Sequence, residues 1–172
     1  MRAIAGRRGW VLAAMFVLLA GCAGFSGANL VPGKSTAAEV RASMGEPSMI
    51  VQKPGETWWY YPRGYFARKT FVARIGPDGM LRGIEQRLDD AYIKKVQVGE
   101  STMNDVRELL GPPHSVTRFD RLQRIVWEYR LSEPPFLWLL EVQFSYDGVV
   151  REVMKLRDPE MDGWSGADGG KD

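Results

Sequence analysis

Few side chains in this chain of 172 residues have types and spacings that could carry out a reaction. His114 is the only histidine and Cys22 the only cysteine, so neither a zinc site nor a Cys/His nucleophile pair is indicated. Ser35 and Ser101 precede predicted helices, where a hydroxyl usually caps the first turn. The adjacent carboxylates of Asp89-Asp90 also suit a helix start, because they complement the helix dipole. We therefore predict that the protein is not an enzyme and that it holds no metal and no cofactor.

Cys22 lies where the sequence indicates a covalent modification. Residues 19–22 read Leu-Ala-Gly-Cys and end an uncharged, apolar segment over residues 10–20, which follows three arginines. A basic start, a short apolar segment and small residues before a cleavage point are typical of a secretory signal. The apolar segment has about 11 residues, whereas a helix needs about 20 to span a bilayer.

The Leu-Ala-Gly-Cys sequence resembles the lipobox of bacterial lipoproteins. The resemblance implies that residues 1–21 are a signal peptide, that the Cys22 thiol is diacylated and that the new N-terminus is acylated. The alternative is an ordinary signal peptide that has a cysteine at this position. Ala23, rather than aspartate, follows the cysteine, which by the bacterial sorting rule implies the outer membrane, facing the periplasm. Three acyl chains would hold the protein on that membrane without further contacts.

The chain that follows residue 21 has 151 residues, enough for one domain or two small ones. It keeps 20 of the 23 basic side chains against 21 acidic ones, a formal net charge of −1. A nucleic-acid partner is therefore not expected, on charge and on compartment. With a single cysteine the chain forms no internal disulfide, so an ordinary apolar core must hold the fold.

Two segments of the chain have closely similar sequences. Residues 33–47 read GKSTAAEVRASMGEP and residues 99–113 read GESTMNDVRELLGPP, with seven identities at a constant offset of 66. The similarity resumes at an offset of 69, where Trp58 matches Trp127 and Tyr60 matches Tyr129. Such similarity indicates two copies of one structural unit.

Each copy has the signals of a short helix. Threonine with an acidic residue three positions later has the spacing of a capping box, which predicts helices over 37–44 and 103–110. Gly45 and Gly111 follow these helices and suit the left-handed position that ends a helix. A further short helix is expected over 89–96.

Strand signals follow each helix. Apolar residues alternate over 124–131 and 138–146, which places Trp127 and Tyr129 on the core face. An Asp-Gly pair in each copy, at 78–79 and 147–148, predicts a tight hairpin turn.

The pattern resembles the SmpA/OmlA family of small outer-membrane lipoproteins, which includes the E subunit of the β-barrel assembly machinery. The resemblance is carried by the Gly-x-Ser-Thr-x-x-[Asp/Glu]-Val run that opens each helix, the [Leu/Met]-Gly-x-Pro that closes it, and the Trp-x-Tyr strand. It implies two helices on a three-stranded antiparallel sheet in each copy. It also implies a non-enzymatic scaffold that binds other assembly subunits and, in some members, phosphatidylglycerol.

We therefore predict an α+β protein with two tandem repeats of short helices packed on an antiparallel sheet of three to four strands. A tandem pair of this kind resembles the β-lactamase inhibitor protein. The predicted divisions after the signal peptide are a lipidated tether over 22–29, a first repeat over 30–88, a second repeat over 89–156 and a disordered tail over 157–172.

The first candidate for a partner-binding surface is formed by Trp59 and Tyr61. In the alignment they match Glu128 and Arg130, which are expected to face solvent, so both aromatic rings are predicted to point away from the core. Adjacent outward aromatic residues are unusual on a bare surface. The alternative is that the other copy or a helix covers them.

The second candidate is Phe136, Leu137 and Leu139. Leu137 and Leu139 share a predicted strand face with Glu141 and Gln143, so they are apolar where polar residues are expected. The alternative is burial between the two copies.

The sequence as a whole predicts a lipid-anchored periplasmic binding or scaffold protein of the outer membrane, acting in outer-membrane protein assembly or envelope integrity. The alternative function is that of an inhibitor or sensor module that binds a soluble periplasmic enzyme. The expected contacts are the membrane, through the acyl chains on Cys22, and envelope assembly proteins or lipid headgroups.

Overall fold

The computed structural model describes residues 26–158, which form an α+β fold with three helices and eight strands. The helices are α1 (Ala37–Met44), α2 (Asp90–Ile93) and α3 (Met103–Leu110). The strands are β1 (Met49–Lys53), β2 (Glu56–Arg63), β3 (Lys69–Ile75), β4 (Leu81–Gln86), β5 (Ser115–Phe119), β6 (Arg124–Glu133), β7 (Phe136–Ser145) and β8 (Val150–Arg157).

The strands form two antiparallel sheets, and consecutive strands are neighbours in both. The first sheet has the order β1-β2-β3-β4 and the second has the order β5-β6-β7-β8. We refer to residues 26–88 as the first half and to residues 89–158 as the second half. The predicted α+β class with antiparallel sheets is confirmed, and each sheet has four strands.

Helices α1 and α3 begin where their threonines predict. The Thr36 hydroxyl accepts a hydrogen bond from the Glu39 backbone N–H, and the Glu39 carboxylate accepts one from the Thr36 N–H at 2.7 Å. Thr102 and Asp105 make the same reciprocal pair at the start of α3. These bonds satisfy N–H groups that the start of a helix would otherwise leave free.

The glycines that follow α1 and α3 differ from the expected left-handed geometry. Gly45 has φ 77° and ψ −165°, and Gly111 has φ 89° and ψ −170°. The positive φ agrees with the prediction, but the extended ψ places both in a region that is essentially restricted to glycine.

The second half has a core between its helices and the inner face of its sheet. Val106 and Leu110 of α3 pack against Trp127, Tyr129 and Leu131 of β6, as the alternation predicts. The short helix expected over 89–96 is confirmed as a single turn, α2, which the Asp89 side chain caps. Tyr92 and Ile93 of α2 pack against the same core.

In the first half, the inner face of β2 is the face that the sequence analysis assigned to solvent. Trp59 is 7% exposed and Tyr61 is fully buried, and both pack beneath Val40 and Met44 of α1. The prediction that these rings point outward is therefore wrong.

The cause is a one-residue error in the alignment of β2. Trp59 lies opposite Ala73, and Trp127 lies opposite Val142. Ala73 and Val142 each precede an Asp-Gly turn by five residues, so Trp59, not Trp58, corresponds to Trp127. The sequence Trp-Trp-Tyr-Tyr contains the Trp-x-Tyr pattern twice, and a shift of one residue exchanges the two faces of a strand.

Several predicted features lie outside the described residues. These are the lipidation site Cys22, the signal peptide over 1–21, the start of the tether and nearly all of the tail. Within residues 26–158, no helix has the length and hydropathy needed to cross a bilayer.

Replacing Trp59 with alanine tests the corrected strand face. We expect Trp59→Ala to lower the free energy of unfolding by about 3–5 kcal/mol, because it empties a large site in the core. The control is Ile50→Ala, on the neighbouring strand opposite Trp59 and 47% exposed, which should cost about 0.5 kcal/mol or less. Chemical denaturation measures the free energy of unfolding of both variants. Equal small losses would contradict the burial of Trp59 in the core.

Candidate binding surface

The face of the first sheet that points away from α1 is covered by the second half. Tyr60 and Val72 on this face are fully buried. The Tyr60 hydroxyl donates a hydrogen bond of 2.7 Å to the backbone carbonyl of Glu108, in the last turn of α3. A helix leaves its last four carbonyls without intrahelical partners, so the first sheet completes the hydrogen bonding of α3.

Gly111 allows the end of α3 to approach this face closely. A Cβ atom at this position would lie 2.8 Å from Thr70 Cγ2 and 3.3 Å from Tyr60 Cδ1. The Lys53 ammonium on the same face forms an ion pair with the Glu108 carboxylate. The two halves therefore share an interface in which an outer sheet face receives the C-terminal end of a helix.

A buried ion pair forms a second contact between the halves. The Arg68 guanidinium lies 2.6 Å from the Asp158 carboxylate, and both side chains are more than 90% buried. Arg68 also donates to the backbone carbonyl of Leu131 at 3.2 Å. Loss of the Asp158 carboxylate would leave the Arg68 guanidinium buried without this counter-charge, which is destabilising.

A groove of about 400 Å³ runs between the halves beside Trp58. The Arg87 guanidinium lies 4.6 Å from the Trp58 ring and 4.4 Å from the Tyr92 ring, and it forms an ion pair with Glu85. Asp105, also in the lining, is held by the α3 capping box, whose hydrogen bonds from Thr102 keep the pKa of this carboxyl below its ordinary value. Because these charges already have partners, we assign the groove to the interface between the halves.

The outer face of the second sheet, which corresponds to the covered face of the first, is not covered in the same way. We call it the open face, and its centre is formed by Val126, Glu128, Glu141 and Gln143, all partly exposed. These residues line a groove of about 360 Å³ together with side chains of β5.

Apolar residues flank the centre of the open face on two sides. Phe119 and Leu122, which are 45% and 68% exposed, border the groove at one side. Leu139 and Leu156 lie opposite each other on β7 and β8 at the other side. An acidic centre with apolar borders is suited to binding a protein surface that carries both basic and apolar groups.

Two carboxylates face each other at the centre of the open face. Glu128 and Glu141 are direct cross-strand partners, an arrangement that is destabilising for like charges. Glu128 is compensated by Arg130, with 3.3 Å between Arg130 Nε and Glu128 Oε1. The Glu141 carboxylate has no ion pair and no hydrogen bond among residues 26–158, although the residue is only partly exposed.

The second predicted surface, Phe136, Leu137 and Leu139, lies at the edge of this region. Phe136 is 42% exposed, and the Arg157 guanidinium lies 4.0 Å from its ring. Leu137 and Leu139 are half-buried and point to the outer side of the sheet, opposite the face of Leu140. Leu139 thus belongs to the open face, whereas Trp59 and Tyr61 have no part in any exposed surface.

The described residues show no arrangement of catalytic type. His114 is exposed in the connection before β5, and its ring makes an edge contact with Phe66 at 5.7 Å between centroids. Within residues 26–158, no group of three or more His, Cys, Asp or Glu side chains is placed to hold a metal ion.

Sequence reasoning missed the Glu128–Glu141 pair, although a signal for it was present. The Pro134-Pro135 turn connects β6 and β7 and sets Glu133 opposite Phe136. Counting back from this turn places Glu128 opposite Glu141. The covering of Tyr60 by α3 had no comparable local signal, because it depends on how the two halves pack.

No protein-family model matches the chain, and no curated protein matches its sequence. Among solved structures, a DUF4309 family protein (YjgB) from Bacillus subtilis is similar with a TM-score of 0.31 and 17% identity, over 76% of this chain and 84% of that one. A putative beta-lactamase inhibitor protein from Streptococcus mutans gives a TM-score of 0.30 and 12% identity, over 70% and 82%.

An extracellular protein containing a SCP domain from Bacillus anthracis gives a TM-score of 0.29 and 14% identity, over 93% of this chain and 49% of that one. Overlaps of this size assign neither a family nor a function to the chain.

Two adjacent tyrosines on opposite faces of β2 provide a matched test of the interface. Tyr60→Phe removes the hydrogen bond to Glu108 and should lower the free energy of unfolding by about 0.5–1.5 kcal/mol. Tyr61→Phe should be neutral or stabilising, because the buried Tyr61 hydroxyl has no hydrogen-bond partner. Denaturation at neutral pH separates the two, and an equal cost for both would contradict the assigned contacts.

The burial of Tyr61 also predicts that the stability of the protein decreases at alkaline pH. Burial raises the pKa of Tyr61 to about 12 from its ordinary 10.0, so the unfolded chain ionises first and stability falls as the pH rises above 10. Tyr61→Phe should make that fall smaller, and an unchanged profile would contradict the burial of the hydroxyl.

Proposed function

We propose that the chain is a lipid-anchored periplasmic binding or scaffold protein of the outer membrane, acting in outer-membrane protein assembly or envelope integrity. The observation that carries the binding role is the open face, where the unpaired Glu141 carboxylate lies between apolar borders. The corresponding face of the first sheet is covered by the second half. The anchor is supported by the Leu-Ala-Gly-Cys sequence ending at Cys22.

The distribution of charge and apolar groups supports binding rather than catalysis. In the groove beside Trp58, Arg87, Asp105 and Glu108 are each engaged in an ion pair, stacking or helix capping. The open face has an acidic centre with apolar borders, and within residues 26–158 neither hydroxyl of its lining, Ser115 or Thr117, donates a hydrogen bond to a carboxylate. A surface of this kind recognises a partner by charge and shape.

We also propose that the two halves arose by duplication of one SmpA/OmlA-like unit. Both halves have an eight-residue helix with a capping box, followed by a four-stranded antiparallel sheet. In both, the threonine before the helix also bridges to the residue after the Asp-Gly turn, as Thr36 with Met80 and Thr102 with Val149. These shared local contacts, together with the seven identities in the helix segments, support a common origin.

The first arm of the test examines the anchor. Labelled palmitate should enter the full chain in cells, and the protein should fractionate with the outer membrane. The Cys22→Ser variant should remain unlabelled and uncleaved, because the acyl groups need the thiol. Label in the serine variant, or fractionation of the full chain with the inner membrane, would contradict the proposal.

The second arm examines the partner in the same cells. A photo-crosslinking residue replaces Gln143 at the centre of the open face, and the control replaces Ala42, which is exposed on α1. We expect adducts with outer-membrane assembly subunits from position 143 and not from position 42. An adduct with one soluble periplasmic hydrolase would contradict a role in assembly and favour the inhibitor or sensor function.

A further inference from the structure

We propose that the open face docks a helix of another envelope protein and that a lysine or arginine of this helix pairs with Glu141. The inference rests on the proposed binding function and names the chemistry of the partner. The partner element is helical because the structure already contains one example of such docking. The partner helix is expected to carry a basic residue because two carboxylates, Glu128 and Glu141, lie at the centre of the open face.

The interface between the two halves shows how this sheet face receives a helix. On the first sheet, Tyr60 and Val72 form the central cross-strand pair and are fully buried, and the Tyr60 hydroxyl bonds to the end of α3. Glu128 and Glu141 occupy the corresponding pair on the second sheet, by the same register that relates Trp59 to Trp127. The first sheet therefore provides a template for a helix end seated over the centre of the second.

The central pair differs in chemistry between the two sheets, which indicates a different partner. On the first sheet the pair is aromatic and aliphatic, and its helix lies within the same chain. On the second sheet two carboxylates lie opposite each other, and only Glu128 has a compensating charge, from Arg130. A basic side chain placed between them would neutralise Glu141 and convert an unfavourable pair into a favourable contact.

The borders of the open face supply the apolar part of the contact. The exposed side chains of Phe119 and Leu122 at one side, and of Leu156 at the other, lie on either side of the acidic centre. A helix with apolar residues one turn from a lysine or arginine would bury these groups while the charges pair.

The same charges disfavour two other occupants. Anionic lipid headgroups would meet Glu128 and Glu141 at the centre of the face and be repelled there, and the one basic residue in the groove lining, Arg124, lies at the border beside Phe119. A second copy of this chain could offer the end of α1, but Gly45 is followed there by Glu46, and Arg41 already lies 3.4 Å from the Glu46 carboxylate. Docking α1 would bring a further carboxylate to an acidic face.

Charge reversal at Glu141 tests the inference with the full lipidated chain in cells. Position 143 carries the photo-crosslinking residue, and the yield of its adduct is compared between the parent and Glu141→Lys. We expect Glu141→Lys to reduce the yield about tenfold or more, because a like charge then meets the partner. The crosslinked peptide of the partner should contain a lysine or arginine. Reversing that residue to glutamate should restore the adduct with Glu141→Lys.

Glu100→Lys is the matched control, because it makes the same change in net charge at an exposed turn away from the open face. Its adduct yield should equal that of the parent. Glu141→Gln separates folding from binding: its thermal midpoint should be equal to or above that of the parent, since it relieves the like-charge pair, while its adduct yield falls.

The outcomes distinguish this inference from the proposed function. An adduct that survives Glu141→Lys, or a partner peptide without a basic residue, would overturn the charge pairing and leave the scaffold role standing. An adduct with a second copy of the chain would contradict the proposed partner and show that the open face mediates self-association. Absence of any adduct at position 143 would overturn the docking surface itself, whereas failure of palmitate labelling would affect only the anchor.

Discussion

The seating of α3 on the outer face of the first sheet is the constraint on which the rest of the structure depends. The Tyr60 hydroxyl satisfies a carbonyl of α3, and Gly111 permits an approach that a side chain would block. This contact joins the halves over a face on which Tyr60 and Val72 are fully buried, and the Arg68–Asp158 ion pair joins the halves a second time. A direct consequence is asymmetry, because the first sheet is covered on both faces and the second retains an open one.

The local elements were predictable from sequence because their causes are local. Thr36 and Thr102, each with an acidic residue three positions later, fix the starts of α1 and α3, and the Asp-Gly pairs fix two hairpins. The face of β2 was not predictable in this way, since the Trp-Trp-Tyr-Tyr sequence fits two registers equally well. Choosing between them requires knowing that a second protein layer covers Tyr60, which is a property of the packed halves.

The chemistry of the open face follows from the same asymmetry. The aromatic residues that suggested an exposed patch, Trp59 and Tyr61, lie under α1 in the core of the first half, whereas Tyr60 on the opposite face contacts α3. The residues suited to a partner lie instead on the second sheet, where Glu141 has no partner of its own and Leu139 lies opposite Leu156. The same face thus carries different side chains on the two sheets: Tyr60 and Val72 are buried on the first, and Glu128 and Glu141 are partly exposed on the second.

Amide hydrogen exchange of two glycine variants tests the central interface most directly. Gly111→Ala and Gly45→Ala place alanine at the same strained backbone geometry, but only at Gly111 does the Cβ meet the other half, 2.8 Å from Thr70 Cγ2. We expect Gly111→Ala to lose more stability than Gly45→Ala and to speed exchange in β2 and β3, although Gly111 lies in the second half. Equal losses, with faster exchange confined to the neighbourhood of each glycine, would contradict the seating of α3 on the first sheet.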